Sequence, residues 1–188
     1  MIFIIFLLCY LIGSFPSAYF LSTVIARKNI LTLGDKNGGA RNVYHSVGKK
    51  IGLLTFLFDF SKGFLIFFIG TKYHLIDTLL FLALFFAWLG HCYPIWLRGK
   101  GGKGVALIIG FLLPQHFFIA VLSAIFFFFM KRIVKNFDIA YTLTVMFFLA
   151  LLVMGRVTKQ HFLLTTMMFF LPLVKFIYQR IIQRNHSI

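Results

Sequence analysis

The sequence predicts an all-α integral membrane protein of about seven transmembrane helices, one of them short, in a single polytopic domain over residues 1–188. Three observations predict it. Of the residues, 61% are hydrophobic and only 12% charged, and the mean hydropathy is +0.95. The apolar residues gather into stretches of roughly 20, the length that crosses hydrocarbon at about 1.5 Å per residue. The 19 Lys and Arg, against 4 Asp and Glu, sit mainly between those stretches. Alternating patterns of the outer-membrane-barrel kind do not occur, and helices are the element that pairs every backbone polar group within its own segment in lipid.

The stretches run over Ile2–Ala26, Ile51–Gly70, Leu75–Leu97, Gly104–Met130, Ile139–Met154 and Phe162–Tyr178. The first is long and lacks a basic n-region and a small-residue cleavage site, so it is expected to be a retained helix rather than a signal peptide. The fourth contains Pro114, which removes an amide donor and ends the helix before it. The charge pattern supports a break there. With it, fifteen Lys and Arg fall on one side: Arg27, Lys28, Lys36, Arg41, Lys49, Lys50, Arg98, Lys100, Lys103, Lys131, Arg132, Lys135, Lys175, Arg180 and Arg184. Only Lys72, Arg156 and Lys159 face the other side, and Lys62 lies within a span. The positive-inside rule then puts the N-terminus outside and the C-terminus in the cytoplasm. The helix from Gly104 to Leu113 rises only about 15 Å, so it starts inside the bilayer, where non-helical backbone needs a protein-lined or watery cavity.

The formal charge of +15 thus reports topology, and with no basic domain present nucleic acid is not an expected partner. Cys9 and Cys92 are unclustered, so neither a disulfide nor a zinc site is implied, and no metal or cofactor is expected. Four Asp and no Glu leave little for a paired-carboxylate mechanism.

Charges inside apolar stretches are costly, about 2.5 to 3.5 kcal/mol each on an insertion scale, so they face the interior and pair. Asp59 and Lys62, three residues apart, share a helical face and are expected to do so, as a structural pair or as part of a site. His91 lies about 9 Å inside its helix end. It serves either as a hydrogen bond between helices or in substrate binding and proton handling.

Two glycine-rich loops interrupt the apolar pattern, GDKNGGARN from Gly34 and GKGGKG from Gly99. Freed backbone amides, a lysine and the positive end of a following helix favour an anion at such a loop. Gly99, Gly101 and Gly104 spell GxGxxG, but no strand precedes them, and the loop lacks the first glycine and the Ser or Thr of a nucleotide P-loop. The cradle is expected to favour phosphate and to floor a pocket open to the cytoplasm.

The ordered set GSFPS at Gly13, GDKNGGARNV at Gly34, VGKKIGLLTFLFDFSKG at Val47, LGHCYPIW at Leu89 and GGKGVA at Gly101 resembles the bacterial acyl-phosphate:glycerol-3-phosphate acyltransferases. The resemblance spans Gly13 to about Ala106. It implies seven helices with an external N-terminus, a place in the bacterial inner membrane, and transfer of an acyl chain from acyl phosphate to a hydroxyl of glycerol-3-phosphate, a step of phospholipid synthesis. Membrane lipid is then the remaining partner. It further implies Lys103 and His91 as catalytic residues and Asn37, Gly39, Asn42, Gly101, Gly102 and Gly104 as substrate-binding ones; Gly38 and Arg41 of the same loop are expected to bind substrate beside them, with Ser14, Asp59 and Lys62 lining or supporting the pocket.

The chain departs from the family pattern at Asp35, where a serine is usual, and at Lys36, Arg41 and His45, usually glycine, threonine and arginine. The serine-rich third motif is represented by Ile139 to Thr142, and Tyr178 and Ile181 stand where a terminal His and Asn are usual. An alternative function therefore stands beside the enzyme: a catalytically silent paralogue that binds or transports a phosphate-bearing lipid or metabolite.

Overall fold

The structure, a computed structural model, describes residues 2–185. The side chains of Phe176 and of 179–185 lie outside the described set, and with them those of Arg180, Ile181 and Arg184. All described regular structure is helical: α1 (Ile2–Ser14), α2 (Ser17–Ala26), α3 (Ala40–Ser46), α4 (Lys49–Lys72), α5 (Asp77–Cys92), α6 (Val105–Leu112), α7 (Phe117–Val134), α8 (Phe137–Met154) and α9 (Lys159–Asn185). Single 3-10 turns occur at Ile30–Thr32 and Ile95–Leu97. Among the described residues, five stretches are long and apolar enough to cross a membrane, the first being α1 and α2 taken together.

Two breaks shape the molecule. The expected interruption at Pro114 is present, between α6 and α7. The first apolar stretch, expected as one helix, is instead broken at Phe15 and Pro16. The cause is the same: proline withholds a donor and disfavours helix in the residue before it. The carbonyl of Phe15, freed at that break, accepts a hydrogen bond from Lys62 Nζ at 2.6 Å. The Gly34–Asn42 segment, expected as loop, ends in the short helix α3.

The core is built around α5, which contributes Leu80, Phe81, Ala83, Leu84, Ala87, Trp88 and Cys92, and against which Ile5, Phe6 and Cys9 of α1 pack. Leu107, Ile108 and Phe111 of α6 join it, as do Ile66 of α4, Phe148 and Leu152 of α8 and Met168 of α9. Lipid tails are as apolar as side chains, so helices in a bilayer associate through close packing rather than the hydrophobic effect. Small residues supply that closeness. A Cβ at Gly13 would overlap the Ala87 carbonyl, and one at Gly90 the Tyr10 carbonyl, which locks α1 to α5. Gly63 against Leu107 and Gly110 against Phe60 do the same for α4 and α6.

Two contact sets mark opposite ends of the bundle. At one end Arg41, in α3, pairs with Asp138 at the start of α8 at 2.9 Å and stacks 4.3 Å over Phe137. At the other, His116 before α7 meets His161 of α9 at 2.8 Å, and His161 lies 3.8 Å from Asp77 at the start of α5.

Candidate active site at the meeting of two glycine-rich loops

The two loops, about sixty residues apart in sequence, touch. A Cβ built at Gly38 would lie 3.5 Å from the Cα of Gly101, and one at Gly102 would lie 2.9 Å from the Gly38 carbonyl. The first is an ordinary van der Waals distance; the second, under 3.0 Å, needs bare backbone at Gly102. The second loop is closed onto the end of α5 by two hydrogen bonds, Gly101 N–H to the Cys92 carbonyl and Gly102 N–H to the His91 carbonyl, each 3.2 Å. Gly104 takes a left-handed φ of +82°, which L side chains rarely adopt, and a Cβ there would also strike Trp88. Trp88 holds the turn by donating its indole N–H to the Lys103 carbonyl at 2.9 Å. Lys103 is half-buried, one residue ahead of the α6 N-cap Gly104.

Asn42 organises the first loop from beneath. Its amide donates to the carbonyls of Asn37 at 2.9 Å and Leu33 at 3.0 Å, and its Oδ1 accepts from the Asp35 N–H at 3.0 Å and the Ser46 hydroxyl at 3.1 Å. Asn37 Oδ1 accepts the Gly39 N–H at 2.9 Å. In this structure both amides shape the loop, whereas the resemblance implied substrate contact for each. Arg41 is committed to Asp138 and Phe137, away from the cleft between the loops.

Beneath the loops lies a buried charge cluster. Lys62 Nζ pairs with Asp59 Oδ1 at 2.8 Å, both side chains almost wholly buried, which realises the pairing read from their spacing. His91 Nδ1 lies 3.6 Å from the same carboxylate oxygen. Its Nε2 faces Gly102, where an added Cβ would collide with it. A carboxylate on the Nδ1 side favours a proton on Nδ1 and leaves Nε2 free to accept one. Ser14, fully buried, donates to the Gly90 carbonyl and accepts from the Ile95 N–H, each at 3.4 Å, and so braces the α5 end against α1.

Lys175 of α9, counted from sequence among the loop charges, is instead buried at this end of the bundle. Its ammonium donates to the Cys92 carbonyl at 3.1 Å, sharing that acceptor with Gly101 N–H, and lies 3.7 Å over the Tyr93 ring. The signal was present: Lys175 is a charge inside an apolar stretch, the criterion that singled out Asp59 and Lys62.

Between loops and helices runs a cleft. Gly38, Gly101, His91 and Ser17 of α2 line it together with the apolar Phe15, Pro94 and Leu97. The cleft thus sets an imidazole nitrogen, His91 Nε2, beside bare glycine backbone and apolar side chains.

The family model described as glycerol-3-phosphate acyltransferase matches residues 3–185. Over 118 residues the chain is 47% identical to a glycerol-3-phosphate acyltransferase of Ehrlichia ruminantium (strain Welgevonden), covering 63% of this chain and 60% of that protein. Over 111 residues it is 43% identical to one of Syntrophomonas wolfei, covering 57% and 56%. The aligned stretch thus spans less than two thirds of these relatives. Among solved structures, the chain resembles PlsY, an integral membrane glycerol 3-phosphate acyltransferase, in its glycerol 3-phosphate form, with a TM-score of 0.80, 23% identity and coverage of 99% of this chain and 92% of that one. The lysophosphatidic acid form gives a TM-score of 0.81 at 22% identity over the same shares. At these identities the likeness establishes the fold. Together with the family match over nearly the full chain, it makes this polytopic helical protein a member of the glycerol-3-phosphate acyltransferase family.

Proposed function

We propose that the chain transfers an acyl group from acyl phosphate to a hydroxyl of glycerol-3-phosphate, giving lysophosphatidic acid and inorganic phosphate. The observation that carries this reading is the contact of Gly38 with Gly101 and Gly102 directly over His91. Both substrates bear phosphate, and a doubled glycine floor with Lys103 at its end suits them. In the step, the acceptor hydroxyl oxygen attacks the acyl carbonyl carbon while its proton passes to His91 Nε2, and the carbonyl π pair moves onto oxygen. Collapse re-forms the C=O bond and breaks the bond to phosphate, which leaves with the electron pair. His91 then returns the proton to the departing phosphate. Lys103 neutralises charge on that leaving group. Asp59, itself held by Lys62, keeps His91 oriented. The acyl donor is already activated, so positioning does much of the work and no protein nucleophile is needed.

The seven-span topology, with both loops cytoplasmic and the protein in a bacterial inner membrane, is part of the same proposal. It is supported by the end-to-end contacts. Arg41 and Asp138 meet at one end, which fits a double crossing by α6 and α7. A cysteine introduced beside Lys135 should label from the cytoplasmic side, and external labelling would restore a six-span arrangement.

The second reading, a silent paralogue that binds or moves a phosphate-bearing lipid or metabolite, is favoured by one observation: Arg41 is neutralised by Asp138 rather than turned to the cleft. One assay decides. Purified protein given acyl phosphate and labelled glycerol-3-phosphate should form lysophosphatidic acid, and Lys103→Ala should lose most of it. No product above background, with Lys103→Ala no different, would leave only the second reading.

A further inference from the structure

The hydroxyl of Ser17 is buried, with no hydrogen-bond partner, in a residue only 2% exposed that lines the cleft. It opens α2, a ten-residue helix whose first turn begins at the Phe15–Pro16 break. The first N–H groups of a helix have no intrahelical acceptor and carry the positive end of its dipole. Two residues earlier, the Phe15 carbonyl accepts from both the Lys62 ammonium and the Ser17 N–H, and the ammonium adds a positive charge. A buried hydroxyl without a partner has lost its hydration with nothing in return, which calls for a partner. Ser17 shares the cleft with apolar Phe15, Pro94 and Leu97 and with Gly38, Gly101 and His91. An acyl phosphate with its chain against the apolar residues and its phosphate toward the glycines would bring its carbonyl to the same small cleft that Ser17 lines.

We propose that the Ser17 hydroxyl and the first-turn amide of α2 at Ala18 receive the acyl carbonyl oxygen and hold the negative charge it gains when the acceptor attacks. The assignment rests on the acyltransferase reading above. During the step the carbonyl π pair moves onto this oxygen, Ser17 Oγ–H and the Ala18 N–H donate to it, and on collapse the pair returns to the C=O bond as phosphate leaves. Ser17 neither gains nor loses a proton.

Steady-state kinetics of the full chain in detergent, with acyl phosphate and labelled glycerol-3-phosphate, test it. Donors to a developing oxyanion act in the transition state, so Ser17→Ala should lower kcat about 100-fold with both KM values held within about twofold. Ser17→Thr, which keeps a hydroxyl, should recover at least a tenth of the wild-type kcat. An unchanged kcat in Ser17→Ala, or a raised KM at constant kcat, overturns the assignment while leaving the acyltransferase reading intact. Wild-type protein without turnover overturns both. Should Ser17→Ala not fold, Ser17→Cys, near in size and a weak donor, takes its place: a lowered kcat at constant KM supports the assignment, and an unchanged kcat overturns it.

Discussion

The span containing α5 and the span of α7 are both apolar enough to cross a bilayer, with mean hydropathies of 1.7 and 2.2. Yet 56% of the first window is buried inside the protein and 6% of the second. The more hydrophobic helix is the more exposed one. Hydropathy ranks fitness for lipid, and lipid and protein interior are equally apolar, so it carries no information on which of them surrounds a helix. Small residues carry it. α5 has Ala83, Ala87 and Gly90 in close contact with its neighbours, whereas α7 presents Phe118, Ile125 and Phe128 outward and buries Ser123 as its one buried residue. The site follows the same division, since His91 and the closure of the second glycine loop both depend on the α5 end.

The largest expected effect breaks the buried charge cluster beside α5. Asp59→Asn should cost about 3 to 5 kcal/mol because it leaves the Lys62 ammonium buried without its carboxylate, while Asp59→Asn with Lys62→Met should cost less than the single change. Chemical denaturation in detergent measures both, and a double variant weaker than the single one would refute the pairing argument. Next, Gly63→Val drives a side chain into the Leu107 backbone and should cost about 3 kcal/mol by overpacking. Phe128→Ala on α7, 72% exposed, should stay within about 0.5 kcal/mol in the same assay. Equal losses at the two positions would erase the distinction between the helices.

Lys175→Met should come next, at about 1.5 to 3 kcal/mol, the worth of a hydrogen bond to a charged group. Its loss should be accompanied by faster hydrogen exchange at the Gly101 amide, which shares the Cys92 acceptor. The smallest effect is at the opposite end. Burial first, and His161 second, push the His116 imidazole down from 6.5 to about 4. Between those values the unfolded chain binds more protons than the folded one, so stability should be full above about pH 6.5 and decline toward about pH 4. His116→Gln should flatten that slope in melting curves taken across the range; an unchanged slope would remove His116 as its source.

Much of the fold was legible because membrane insertion is a local property. The span positions needed only composition, and the break at Pro114 needed only proline chemistry and the distribution of Lys and Arg. Pro16 carries the same chemistry, but hydropathy runs unbroken across it and no shift in the charge pattern marks the helix break there. The Asp59–Lys62 pair was legible because a helix brings residues three apart together. Lys175 lay in plain sight but its acceptor, a carbonyl 83 residues away, did not. Family resemblance assigns Asn37 and Asn42 to substrate; that their amides also hold loop backbone, and that Arg41 reaches Asp138, are contacts that sequence spacing does not encode.

By itself the sequence determined that the chain is a helical membrane protein, where its apolar segments begin and end, and which short polar runs carry family character, since each depends on residues close along the chain. Only the tertiary structure decided that the two glycine loops meet over His91, that Lys175 and Lys62 cap carbonyls freed at helix ends, and that Ser17 of α2, its buried hydroxyl unpaired, lines the same cleft. Those contacts depend on how closely helices approach one another, and that distance is set by small residues on pairs of faces far apart in sequence.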